Sequence, residues 1–293
     1  MDRRLPALGP LIMSEYQYYE FLAVDRPLTV TEQAEVREFS TRARITATSF
    51  TNEYQWGDFR GDPGDLMRRY YDAHLYLANW GTHRIMLRLP RTLLDPEVAR
   101  QYCVDDQVTV TVTDEHVIID MVSEDEEGEW EEDTEDSLSA IIGVRAELAA
   151  GDLRPLYLAW LSAYGVWERD EDAFDSEDED VPEPPVPAGL QSLTAGQRAL
   201  ADFLRLDSDL LEVAAEASAP RPSGQDDPGA LAACIAGLPD EEKARLLLLV
   251  AQDQGARAKM ELLHGFREDT GSGGSRPSRR VGTLLDAAAL HRQ

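Results

Sequence analysis

At 293 residues the chain is long enough for one or two domains with their own cores, and its 43% of hydrophobic residues is ordinary globular usage. It carries 28 basic against 56 acidic residues, a net charge of −28, which sets it against phosphate backbones and argues against direct nucleic-acid binding. Two distant cysteines, Cys103 and Cys234, cannot build a disulfide framework or a cysteine zinc site, and no apolar run reaches membrane-spanning length, so a cytoplasmic protein is expected.

The opening MDRRLPALGPLIM is interrupted by Pro6, Gly9 and Pro10 and lacks a small-residue cleavage site, so residues 1–13 read as a flexible extension, with Met13 as an alternative start. YQYYEFLAVDRPL alternates as a strand, with Tyr19, Phe21 and Ala23 on one face and Tyr18, Glu20 and Leu22 on the other. Thr29 and Glu32 have capping-box spacing and predict a helix to about Arg42. RITATSFT and EYQWGDF read as extended. Asp62-Pro63 opens a helix expected to run through LMRRYYDAHLYLANW to Gly81, with Leu66, Tyr70, Ala73 and Leu77 as its apolar stripe. RIMLRLP is a strand with Ile85, Leu87 and Leu89 opposite Arg84, Met86 and Arg88. Asp95-Pro96 opens a short helix. QVTVTVTDEHVIIDMV is a hairpin turning at Asp114-Glu115. Leu138, Ile141, Ile142, Arg145 and Leu148 mark a further helix, and Asp152 caps LRPLYLAWLSAYGVW, apolar nearly all round and therefore buried.

Two runs carry most of the charge. SEDEEGEWEEDTED, from Ser123 to Asp136, has ten acids and no base, and Glu168–Ala188 has ten acids and one Arg. Together they contribute −19 and leave −9 for the rest. An EF-hand register that puts Gly128 sixth places Ser123 first and Thr134 twelfth, so the closing bidentate Glu is missing and the run reads as a solvated loop. The fold expected is α+β, a mixed or antiparallel sheet with packed helices over residues 14–167. An acidic, Pro-rich linker over 168–188 follows, then a small helical domain over 189–268 with a flexible break near 218–229. Residues 269–293 read as a flexible tail whose short terminal helix has little to bury.

The stretches YYEFLAVDRPLT, SFTNEYQWGDFRGDP and LYLANWGT, with the later AELAAGDLRPLYLAWL and LTAGQRALADFLRLD, resemble an uncharacterised family of conserved proteins of high-GC actinobacteria. The resemblance spans most of the chain except the first dozen residues and the acidic runs. It implies no activity, cofactor or catalytic residue.

Asp58, Asp62, Asp65, Asp72 and His74 cluster in sequence as the carboxylates and His of a hydrolase or transferase would, and Asp58, Asp72 and His74 are the candidate catalytic set. Asp62 and Asp65 already complement a helix start, and on one helix Asp72 and His74 diverge. No metal-ligand spacing, phosphate loop or nucleophile elbow is present, and no cofactor is expected. Aromatic and arginine residues of the first domain, Tyr18, Trp56, Tyr76, Arg84 and Arg88, are the candidate partner-binding set, because such side chains dominate protein interfaces. The function expected is that of a non-catalytic adaptor or regulator with a protein partner. The alternatives are an enzyme using the Asp58–His74 region and a protein-binding accessory of a nucleic-acid-processing system.

Overall fold

The computed structural model describes residues 16–55, 57–125, 137–165, 179–220, 235–251 and 279–291. In chain order the first half gives β1 (Gln17–Leu22), α1 (Val30–Arg37), β2 (Arg44–Ile45), β3 (Ser49–Tyr54), α2 (Pro63–Arg69), β4 (Ala73–Ala78), β5 (Thr82–Pro90), α3 (Pro96–Arg100), β6 (Val108–Val112) and β7 (His116–Glu124). Then follow α4 (Ser137–Ile141), α5 (Gly143–Ala149), α6 (Arg154–Gly165), a 3-10 turn (Leu190–Ser192), α7 (Ala195–Phe203), α8 (Ser208–Ala217), α9 (Asp240–Ala251) and α10 (Val281–His291). The strands form one seven-stranded sheet in the order β2-β3-β1-β4-β5-β7-β6, antiparallel at every junction. The architecture is α+β.

Period-two alternation divides the sheet into two faces, each under helices. Tyr18, Leu75, Leu77, Ile85, Leu87, Ile119 and Met121 point into the larger core, with α4–α8 and α10 over it. Tyr19, Phe21, Phe50, Met86 and Ile118 point the other way, beneath Val36 of α1, Leu66 and Met67 of α2, and Phe59. Local chemistry sets several boundaries. Thr29 and Glu32 form the capping box of α1. Asp62 and Asp95 cap α2 and α3, each with Pro in the first turn. The β6–β7 turn falls on Asp114 and Glu115, closed by Thr113 N–H donating to the His116 carbonyl at 2.9 Å. Helix α1 stops at Arg37, short of the expected Arg42. There the Arg37 guanidinium donates to the carbonyls of Ser40 and Ala43, and the chain turns toward β2.

The expected helix from Leu66 to Trp80 is two elements. Helix α2 ends at Arg69, and Ala73–Ala78 is the sheet's central strand, paired to β1 on one side and β5 on the other. Ala73, Leu75 and Leu77 alternate with His74 and Tyr76, so the stretch satisfies a two-residue period as well as a helical one. Two ladders of backbone hydrogen bonds decide between them.

The expected domain boundary is also corrected. Leu190, Leu200, Phe203, Leu204, Leu210, Val213 and Ala214 belong to the same core as β4, β5 and β7. Arg154, 1% exposed, donates to the carbonyls of Gly189 and Ser192 and tethers the 3-10 turn to α6. The terminal helix α10 buries Val281, Leu284 and Ala288. The described end of the expected linker packs too. Glu183 is buried, takes two hydrogen bonds from the Arg279 guanidinium at 2.8 and 2.9 Å, and takes a third from the Tyr157 hydroxyl at 2.5 Å. Helices α7 and α8 pack on α6, α7 packs also on α4, and α10 packs on α8, so α6 is covered on all sides. The rest of the linker, most of the first acidic run with Trp130, and the expected breaks at 221–229 and 269–278 lie outside the described residues.

Candidate functional site

Four chain segments end together at one edge of the molecule: the β1–α1 loop, the C-terminus of α2, the end of β5 and the β6–β7 turn. They enclose an open cleft of about 510 Å³ lined by Asp25, Arg26, Arg68, Arg69, Arg88, Thr113, Asp114, Glu115 and His116.

The cleft rests on a buried charge network. The Asp72 side chain is 1% exposed. Its Oδ2 accepts the N–H groups of Val24 and Asp25 at 2.7 and 2.9 Å, and its Oδ1 accepts Arg88 Nε and Nη2 at 3.1 and 2.7 Å. Burial pushes the Asp72 carboxyl up, but the Asp25 N–H and the Arg88 guanidinium together outweigh it and hold the carboxyl below its ordinary value. Arg88 also donates to the carbonyls of Met67 and Arg68, at the C-terminus of α2. Arg145 of α5 closes the network, donating to the Arg88 carbonyl at 2.7 Å and to Asp25 Oδ2 at 2.6 Å. Three arginines on the walls are about half exposed, each held by a carboxylate: Arg26 by Glu32, Arg68 by Asp65 and Arg69 by Glu35. Arg69 also lies over the Tyr70 ring, 4.6 Å from its centre. The Arg26 guanidinium draws the Glu32 carboxyl down to about 2, and the Thr29 N–H assists.

A second polar group lies on the same sheet face. The Gln17 side chain donates to Asp58 Oδ1 at 3.1 Å and accepts the hydroxyls of Tyr19 and Tyr76 at 2.8 and 3.2 Å. Burial, with Asp58 nearby, raises the Tyr76 hydroxyl to about 12. His74 is fully buried and stacks on Phe21 at 3.9 Å, and its Nδ1 lies 2.9 Å from the Glu20 carbonyl. Its Nε2 and the Tyr71 hydroxyl have no hydrogen-bond partner among the described residues.

The candidate catalytic residues therefore do not form one reactive site. Asp72 is saturated by backbone and guanidinium donors. His74 is sealed among aromatic rings, and Asp58 is exposed on the loop after β3. Among the described residues no group of three or more His, Cys, Asp or Glu is placed to hold a metal ion, and no helix is long and apolar enough to cross a membrane.

Of the candidate partner-binding residues, two are buried. Tyr18 is 6% exposed in the larger core, and Arg88 is part of the buried network. Tyr76 is half-buried on β4 with its hydroxyl on Gln17, because the strand period replaces the helical stripe that turned it outward. Arg84 is clamped in a two-pronged pair with Asp120 at 2.8 and 2.6 Å. Trp56 lies outside the described residues. Asp25, Arg26, Asp114, Glu115 and His116 were missed. Their only sequence signal is position, beside a Pro-terminated strand and at a hairpin tip, and nothing local brings the two together.

Burial, with the nearby Arg84 charge, pulls His74 down to about 3 against a Glu20 hydrogen bond that raises it. Burial likewise pulls His83, whose Nδ1 lies 2.8 Å from the Phe203 carbonyl, down to about 4. Both folded values lie below the 6.5 of an unfolded His, so the unfolded chain binds more protons in between. Their contribution to stability is complete above about pH 6.5 and falls as pH drops toward 4. From pH 7.5 to 5.5 the two should remove about 3 kcal/mol, seen as a lower urea midpoint. His83→Asn should flatten part of that slope. An equal midpoint at both pH values in the parent protein would contradict the burial of these rings as charged-form-excluding sites.

No protein-family model matches the chain, no curated protein matches it, and no solved structure matches it.

Proposed function

We propose that the protein is a non-catalytic protein-interaction module whose contact surface is the cleft between the β1–α1 loop, α2 and the β6–β7 turn. The observation that carries this reading is the convergence of three half-exposed guanidinium groups, Arg26 of the β1–α1 loop with Arg68 and Arg69 of α2, on one concave surface. Arg is enriched at the anchoring positions of protein interfaces, where a planar, multiply bonded head group supplies both area and directionality. Two exposed apolar residues flank the same loop, Val24 at 49% and Val30 at 83%. The floor is held by buried pairs, so the walls are preorganised and little order is lost on binding.

A steric plug tests the surface without assuming the partner's charge. Arg68→Trp should fill the cleft while giving up only an exposed i,i+3 pair with Asp65, which contributes about 1 kcal/mol at most. Arg44→Trp places the same bulk on the far edge strand, where Arg44 is 80% exposed. After in-cell cross-linking, the Arg68→Trp protein should lose its specific co-purifying protein about tenfold or more, while Arg44→Trp keeps it. Equal recovery with both variants, or no cross-linked protein with the parent chain, would remove the cleft as the contact surface.

A further inference from the structure

Helix α10 is held against the molecule as a bound peptide would be. Among the described elements it packs chiefly on α8. Its entry is fixed by two backbone bonds to the segment before the 3-10 turn. The Glu183 N–H donates to the Arg279 carbonyl at 2.8 Å, and the Val281 N–H donates to the Val181 carbonyl at 3.0 Å. The Arg279 guanidinium forks onto buried Glu183 and reaches the Val213 carbonyl at 3.1 Å, and Arg280 pairs with Asp180. Val281, Leu284 and Ala288, at helical spacing, are the buried side. The approach is close, because a Cβ on Gly282 would lie 3.1 Å from the Glu179 Cβ. The seat is thus built from residues 179–183 and from α8, while the chain arrives at α10 from α9 through residues 252–278. Nothing in the chemistry of the seat requires that its occupant come from the same chain.

We propose that this seat takes α10 from a second copy of the chain, giving a two-fold dimer in which the terminal helices are exchanged. The arriving helix brings the same Arg279, Val281, Leu284 and Ala288, so the exchange keeps every contact of the seat and changes only the connectivity. Closed monomer and exchanged dimer then differ chiefly by the effective concentration of a tethered helix, about millimolar for a flexible connection. The seat also selects this occupant over an unrelated amphipathic helix. A helix without an Arg two residues before its first buried position removes both guanidinium bonds from the buried Glu183 carboxylate. One with a side chain at the Gly282 position must push Glu179 aside. The seat shares no element with the cleft, so the exchange stands or falls apart from the contact-surface reading.

The test uses the full chain with its own cysteines replaced, Cys103→Ser and Cys234→Ser. One preparation carries Glu179→Cys and a second carries Gly282→Cys, whose Cβ atoms at 3.1 Å need only a small shift to reach the roughly 3.8 Å of a disulfide. A third chain carries both changes and should close within itself at low concentration. Mixed and oxidised with copper phenanthroline, the two single variants should give a disulfide-linked dimer whose yield rises about tenfold or more between about 10 and about 500 µM. Adding Leu284→Asp to the Gly282→Cys chain places a charge in the apolar side of the seat and should lower that yield about fivefold or more. The proposal is overturned if the doubly substituted chain closes within itself at every concentration while the mixture gives no linked dimer, or if Leu284→Asp leaves the yield unchanged. Failure of the doubly substituted chain to close at all would reject the seat, and the exchange with it.

Discussion

Arg88→Ala should destabilise the protein by about 3–5 kcal/mol, more than any change confined to the walls of the cleft. The substitution leaves the Asp72 carboxylate, 1% exposed, with two backbone N–H groups and Arg145 at 3.8 Å. It also strips the donor from the carbonyls of Met67 and Arg68. An uncompensated buried charge is far costlier than a missing surface pair. Arg84→Ala is the control, since its pair with Asp120 is partly exposed, with side chains 32% and 17% accessible, and should contribute about 1 kcal/mol. Arg88→Lys should recover only part of the loss, because an ammonium cannot reproduce the fork that meets Asp72 and two carbonyls together. Urea midpoints at pH 7 rank the three variants. A loss from Arg88→Ala no greater than that from Arg84→Ala would mean that the network is not closed to water. Its failure would also loosen the cleft, because Arg88 and Asp25 are at once floor and wall.

Phe203→Ala should cost about 3–5 kcal/mol and lower the stability of the sheet and of α7 together. Phe203 is 4% exposed in the core shared by both, its ring stacks on His83 at 4.9 Å, and its carbonyl meets His83 Nδ1. Arg205 fastens the same corner by donating to the Gly81 carbonyl at 2.9 Å. Hydrogen exchange should report the loss equally in β4 and β5 and in α7, and unfolding should remain one transition by far-UV and fluorescence probes. A fragment of residues 14–167 would uncover the faces of α4, α5 and α6 that meet α7 and α8, so a cooperative transition is not expected from it. Two separable transitions in Phe203→Ala, with the sheet unaffected, would restore the two-domain description.

Local chemistry settled the parts of this fold whose determinants lie within a few residues. The Thr29–Glu32 capping box, the Asp-Pro starts of α2 and α3, the β6–β7 hairpin and the two-faced alternation of β1 and β5 all follow from side chains acting on their own backbone or on a two-residue period. Tertiary structure decided what local patterns leave degenerate. Ala73–Ala78 carries a periodicity that suits helix or strand, and only neighbours on both sides made it the central strand. That one change moved His74 and Tyr76 inward, removed the helical divergence of Asp72 from His74, and removed the helical stripe from which Tyr76 was chosen for partner binding. The helices after residue 189 show apolar faces without saying what covers them, and the surface of α6 supplied the answer across the acidic run. The cleft was least legible of all. Asp25 and Asp114 are far apart in sequence, and an arginine's charge counts only after its partner is known, which depends on distances that no spacing along the chain encodes.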